Sequence, residues 1–264
     1  MKRQKISSDL KAMAKEQLLG NYGIAAGTFA ILYGIIIGVV ILVYLAVALT
    51  ILTGGNVSQA SDLEAIALSP GYYIMMLFVT ALLGALFSTL FVGYANIALK
   101  IARGDKPKIA DLFYCYSHHP DKVIILYLML YAVNFVLMLP AQITAFFMEG
   151  TEAASGVQFL IWAVLYTAGL VLSVIFSLMV SQVYFLYVDD SMENTIDIFK
   201  QSIRIMKKNK GRLFYIMLSF LGWYLLILAS CGIAAFWIIP YQAVTLADFY
   251  RDLAGEFNEN ADEN

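Results

Sequence analysis

Five long stretches of this 264-residue chain contain no Asp, Glu, Lys, Arg or His: residues 24–52, 71–99, 123–147, 157–188 and 213–247. About 20 apolar residues in a helix are enough to cross the hydrocarbon core of a bilayer. Backbone placed there must satisfy its own hydrogen bonds, which admits helices and closed barrels only. Runs of this length can each span as a helix, so the chain reads as all-α, a polytopic membrane helical bundle. Composition agrees. The chain is 61% hydrophobic and 14% charged, whereas an ordinary soluble domain is about 25% charged. The N-terminal stretch "MKRQKISSDLKAMAKEQLLGNYG" is polar, and the run after it is too long for a signal-peptide core, so no cleavable leader is expected.

The last run is the ambiguous one. "LASCGIAAF" sits near its middle, and Gly232 is a plausible turn. With that turn there are six transmembrane helices, near 24–52, 71–99, 123–147, 157–188, 213–229 and 232–250. Without it there are five, and the C-terminus faces out. The six-helix reading is preferred, as a single membrane domain over 1–254 with an acidic, disordered tail over 255–264. Basic residues set the orientation. Sixteen of the 17 Lys and Arg lie in the N-terminal segment, in 100–122 or in 200–212, while 53–70 and 148–156 have none. The positive-inside rule places the basic segments and the N-terminus in the cytoplasm. Cys115 and Cys231 then fall on opposite faces, too far apart to pair.

Each basic segment precedes an odd-numbered span and has a similar plan: a capping residue, a helical stretch, a breaker. "SSDLKAMAKEQLLGNYG" offers Ser7 or Ser8 as a cap, "KIADLFYCYSHHPDK" offers Asp111, and "NTIDIFKQSIRIMKKNKGRL" offers Asn194 or Thr195. The third carries an apolar stripe of Ile196, Phe199, Ile203 and Met206 beside a basic face. That pattern suits a helix lying at a membrane interface. Lys207, Lys208, Lys210 and Arg212 follow it, immediately before the uncharged run from Leu213. They are the candidate contacts for anionic lipid headgroups. Three units of amphipathic helix plus hairpin would account for the plan, and so would any basic loop placed before a span.

Few side chains suggest chemistry. Asn134 and Gln142 lie eight residues apart around Pro140, a candidate intramembrane polar cluster. They could line a cavity or bond neighbouring helices. "SHHPD" over 117–121 has two adjacent histidines, which diverge on a helix instead of sharing a metal, and reads as a turn. Asp189-Asp190 closes the fourth run beside basic segments. Small residues recur at four-residue spacing, as in Gly34 and Gly38 or Gly84 and Ser88, which favours close helix packing. No nucleophile motif, phosphate loop or zinc motif is present, and no catalytic, cofactor or metal residues are assigned.

Residues 219–250, "SFLGWYLLILASCGIAAFWIIPYQAVTLADFY", resemble the closing signature of the bacterial membrane family called domain of unknown function 975. The matching residues are Ser219-Phe220, Gly222-Trp223, Cys231-Gly232, Trp237, Pro240-Tyr241, Thr245 and Phe249-Tyr250. "DLKAMAKEQLLGNYG" is similar to that family's opening. The resemblance implies six helices and a distant likeness to the membrane domain of some glycerophosphodiesterases. It implies no catalytic residue. The sequence therefore leads to a non-enzymatic, multi-pass protein of the bacterial cytoplasmic membrane, a membrane-organising or accessory component. Its expected partners are membrane lipids, anionic ones included, and a protein in the membrane, but no nucleic acid. The alternative is a transporter-like protein for a small or lipidic substrate.

Overall fold

The computed structural model describes residues 5–53, 70–149, 156–189 and 194–257. Among the described residues all regular structure is helical. In order the elements are α1 (Ser7–Leu18), α2 (Tyr22–Thr53), α3 (Pro70–Arg103), a 3-10 turn (Ile109–Phe113), α4 (Tyr114–Ser117), α5 (Pro120–Glu149), α6 (Gly156–Val180) and α7 (Val183–Val188). They continue as α8 (Thr195–Met206), α9 (Lys210–Leu218), α10 (Leu221–Ala229) and α11 (Ala235–Ala254). Among the described residues five rods are long and apolar enough to cross a membrane: Tyr22–Leu49, Gly71–Arg103, Pro120–Met148, Gly156–Val188 and Lys210–Ala229. The chain is thus an all-α polytopic membrane bundle.

The fifth rod is α9 and α10 joined through a break at Ser219-Phe220. The break frees the Ser219 carbonyl, and the Lys11 ammonium of α1 donates to it at 3.1 Å while lying 4.2 Å over the Phe220 ring. A turn follows, in which Cys231 and Gly232 take left-handed φ values of 50° and 91°. Glycine adopts such a φ without the Cβ clash that other residues pay. The Ser230 hydroxyl accepts a bond from the Ala234 amide at 2.9 Å and closes the turn. α11 then returns antiparallel. Arg212 meets Asp252 at 2.6 Å near one end, and Tyr224 donates to Gln242 at 2.8 Å farther along. The hairpin expected around Gly232 is present. α11 falls outside the five apolar rods because Asp248, Arg251 and Asp252 lie in its last turns.

Burial is uneven along the rods. At the basic end α1, the 3-10 turn, α4, α7 and α8 pack between the rod ends. Leu10, Leu18, Ile101, Leu112, Val183, Ile198 and Phe249 are buried there. At the other end large apolar side chains such as Leu45, Phe78, Phe146, Val164 and Leu228 are exposed on the protein surface. The contrast follows from the solvent. Apolar helices gain little by leaving hydrocarbon for one another, whereas segments in water must bury their apolar faces. Close approach also operates at the basic end. A Cβ on Gly93 of α3 would stand 1.8 Å from the Leu112 carbonyl oxygen. Gly84 makes room for the Tyr127 ring in the same way, but Gly34 and Gly38 of α2 have no neighbour within 4 Å of an ideal Cβ. Packing within the chain therefore accounts for the small residue at 84 and not for those two.

The three short segments do precede α2, α5 and α9, and the first two have different caps from those expected. The N-cap of α1 is Ile6, with no side-chain bond, instead of Ser7 or Ser8. Asp111 lies inside the 3-10 turn, where its carboxylate accepts from the Lys108 amide at 2.8 Å. Asn194 caps α8 as expected. The second rod of each hairpin carries one buried amide side chain: Asn96, Gln182 or Gln242. The tail expected over 255–264 lies outside the described residues from 258 onward. Its first three residues are not loose: Gly255 ends α11 with φ 92°, and Glu256 and Phe257 are docked.

Candidate functional site at the basic end

The ends of α3, α7 and α11 converge, and their charged side chains form one network. Arg103 donates two bonds to Asp189, at 2.7 and 3.1 Å, and three to Glu256, at 2.5, 3.2 and 3.5 Å. The Tyr250 hydroxyl donates to the same Asp189 at 2.6 Å. Arg251 donates to Glu256 at 2.7 Å, to the fully buried Asp248 at 3.1 Å, and to the Ala102 carbonyl. Gln17 of α1 completes it, donating to Asp248 at 3.1 Å and to the Ala102 carbonyl at 2.9 Å. Burial disfavours ionised Glu256, but the hydrogen bonds and charges of Arg103 and Arg251 outweigh it and hold its pKa below the usual carboxylate value. Two guanidinium groups and three carboxylates thus tie α1, three rod ends and the tail together.

A second cluster joins α1 to the final hairpin. Arg212 pairs with the nearly buried Asp252 and donates to the Lys5 carbonyl at 2.7 Å, while the Lys5 amide reaches Asp252 at 3.3 Å. Of the four basic residues expected at the lipid surface, Arg212 is therefore engaged within the protein. Lys207 and Lys208 are exposed at the α8–α9 turn, and Lys210 is half-buried. The α8 stripe also faces protein over most of its length. Phe199 packs on Phe176, Met206 is buried, Ile203 lies against the core, and Ser202 donates to the Met179 carbonyl at 3.0 Å. Ile196 alone of the stripe is exposed. The periodicity announced an apolar face correctly, but the face covers rod ends instead of lying open.

Asn134 and Gln142 do not meet a common partner. Ser173 of α6 donates to Asn134 at 3.3 Å, and Tyr73 of α3 donates to Gln142 at 2.7 Å. Each amide links α5 to a different neighbour. "SHHPD" is a turn, held by Tyr187, whose hydroxyl donates to the His118 and His119 carbonyls. His118 stacks on Tyr114 with ring centroids 4.1 Å apart. Among the described residues no group of three or more His, Cys, Asp or Glu is placed to hold a metal ion. Cys115 is buried, which pushes its thiol pKa up, and Cys231 is exposed; both are free. Asp190 lies outside the described residues. The network residues Arg103, Arg251, Asp248, Glu256 and Gln17 were not singled out from sequence. The one available signal was charge returning to α11 after a long uncharged run.

The profile of the family described as "Protein of unknown function (DUF975)" matches residues 1–256, and the chain belongs to that family. No curated protein and no solved structure matches it.

Proposed function

We propose that the protein is a non-enzymatic membrane-organising or accessory component of the bacterial cytoplasmic membrane, with its basic end in the cytoplasm and in contact with anionic lipid. In this reading α11 crosses the membrane together with the five apolar rods, and both termini lie inside. The observation that carries it is the position of Lys207 and Lys208. They are exposed at the turn that leads directly into the uncharged rod starting at Leu213. Cations there stand at headgroup depth, where each attracts an anionic surface. Arg103 and Arg251 are paired with Asp189, Asp248 and Glu256, which supports a role in architecture over one in turnover. The separate pairing of Asn134 and Gln142 supports helix packing over a shared substrate cavity.

The test uses full-length protein reconstituted in mixed bilayers, with spin-labelled phosphatidylglycerol or phosphatidylcholine reporting the motionally restricted lipid fraction. Phosphatidylglycerol should be preferred, and the preference should weaken with salt and with the Lys207→Gln, Lys208→Gln double variant. Equal restriction of both lipids at low salt would remove the reading.

A further inference from the structure

We propose that a crevice between the start of α1 and the start of α9 binds one anionic phospholipid by its phosphodiester. The proposal takes from the preceding section only that this end of the bundle stands at headgroup depth. The crevice has a volume of about 410 Å³. Lys5, Ser7 and Arg212 line its polar side, Ile6, Tyr215 and Ile216 its apolar side, and Gly211 lies between them.

Three features point to a phosphodiester with an acyl chain attached. The first is charge. Arg212 is held in place by Asp252 and by the Lys5 carbonyl, so the guanidinium does not depend on a ligand for its position. The Lys5 ammonium lies 4.8 Å over the Phe257 ring, and among the described residues no carboxylate stands within ion-pair distance of it. The crevice lining carries two cations, Lys5 and Arg212, and no acid, and of the two only Arg212 is ion-paired, with Asp252, so the lining suits a phosphodiester monoanion.

The second feature is depth. Arg212-Leu213 is the boundary between basic segment and uncharged rod, so the polar side of the crevice meets headgroups and Tyr215 meets the first acyl carbons. The third is the exposed apolar wall. Ile6 is 68% and Tyr215 63% exposed, too much for walls facing water and suited to contact with a lipid chain. A soluble phosphate would use the cations and leave this wall unused. The position of Gly211 is open, since a Cβ there meets nothing within 4 Å. A larger side chain at 211 can therefore fill the crevice without displacing the fold.

The experiment is native mass spectrometry of the detergent-solubilised full-length protein. The probes are phosphatidylglycerol, phosphatidylcholine with the same acyl chains, and glycerol 3-phosphate. The variants are Lys5→Gln, Gly211→Leu and the Lys207→Gln, Lys208→Gln double, each with its melting temperature measured. Wild type should retain one tightly held phosphatidylglycerol in preference to phosphatidylcholine. Lys5→Gln, which keeps the backbone bonds of residue 5 to Arg212 and Asp252 and gives up the contact with the Phe257 ring, should reduce that occupancy roughly fivefold, and Gly211→Leu should reduce it comparably. The double variant should leave this first adduct in place. An unchanged first adduct in both Lys5→Gln and Gly211→Leu would overturn the crevice, as would equal retention of the two lipids, or glycerol 3-phosphate held as tightly as the lipid. If the adduct survives those two variants and is lost in the double, the crevice is wrong and the surface reading stands. If no variant holds phosphatidylglycerol preferentially, wild type included, both fail.

Discussion

Replacing Arg251 should expose how much the network at the basic end depends on charge compensation. Asp248 is 0% exposed and the Arg251 side chain 12%. Arg251→Met would leave a buried carboxylate whose remaining donor is Gln17, at 3.1 Å. Breaking a buried ion pair by removing one partner costs about 3–5 kcal/mol. The lower figure applies here, because the Gln17 bond persists and the Ala102 carbonyl also keeps Gln17 as a donor. Asp248→Asn removes the charge and keeps the shape, so it should cost about 1 kcal/mol, the net worth of a typical hydrogen bond. In the double variant no uncompensated charge remains. Its loss should be about 2 kcal/mol, less than the sum of the singles by about 2 kcal/mol of coupling. The assay is unfolding of the full-length protein in mixed micelles of rising denaturing-detergent fraction, followed by circular dichroism. Additive losses, or an Arg251→Met variant as stable as wild type, would refute the argument that Arg251 neutralises Asp248.

Other outcomes follow from the same geometry. Gly93→Ala places a Cβ 1.8 Å from the Leu112 carbonyl oxygen, so the 3-10 turn must shift; a loss of about 1–3 kcal/mol is expected, and Gly34→Ala, with open space, should be neutral or slightly stabilising in the same unfolding assay. The tail clasp should depend on pH. The folded pKa of Glu256 lies below its ordinary value of 4.5, so its contribution is present above that value and is lost as pH falls through the depressed one. Limited proteolysis after Arg251 should accelerate below that range in wild type, and Glu256→Gln should be cleaved readily at neutral pH.

The long rods were legible because hydrocarbon imposes a rule that acts residue by residue. A charge-free run of sufficient length has few alternatives, and its ends are marked by the first Lys or Asp. The hairpin was legible through Gly232, since a left-handed φ leaves a local trace in residue choice. What covers a face leaves no such trace. The stripe through Phe199 and Met206 has the same periodicity whether lipid or Phe176 lies against it. Ion pairs such as Arg103 with Asp189 and Glu256 join residues far apart in the chain, and nothing near Arg103 in sequence announces them. Arg212 looked like one more surface cation because Asp252 sits beyond the whole apolar hairpin. The caps failed for a smaller reason. Ser7 and Ser8 suit a cap chemically, but the Ile6 carbonyl already accepts from the Asp9 and Leu10 amides, and the helix starts one residue early.

In the proposed topology the basic end of the bundle faces the cytoplasm and the last hairpin turns on the opposite side. One labelling experiment tests both parts. In intact cells, with Cys115 replaced by Ala, a membrane-impermeant maleimide should modify the native, exposed Cys231 of the hairpin turn. A single cysteine placed at Lys208→Cys, in a chain lacking both native cysteines, should react only after the membrane is opened. Modification of the residue-208 cysteine in intact cells, with Cys231 protected until permeabilisation, would show the inverted orientation and overturn the proposed topology.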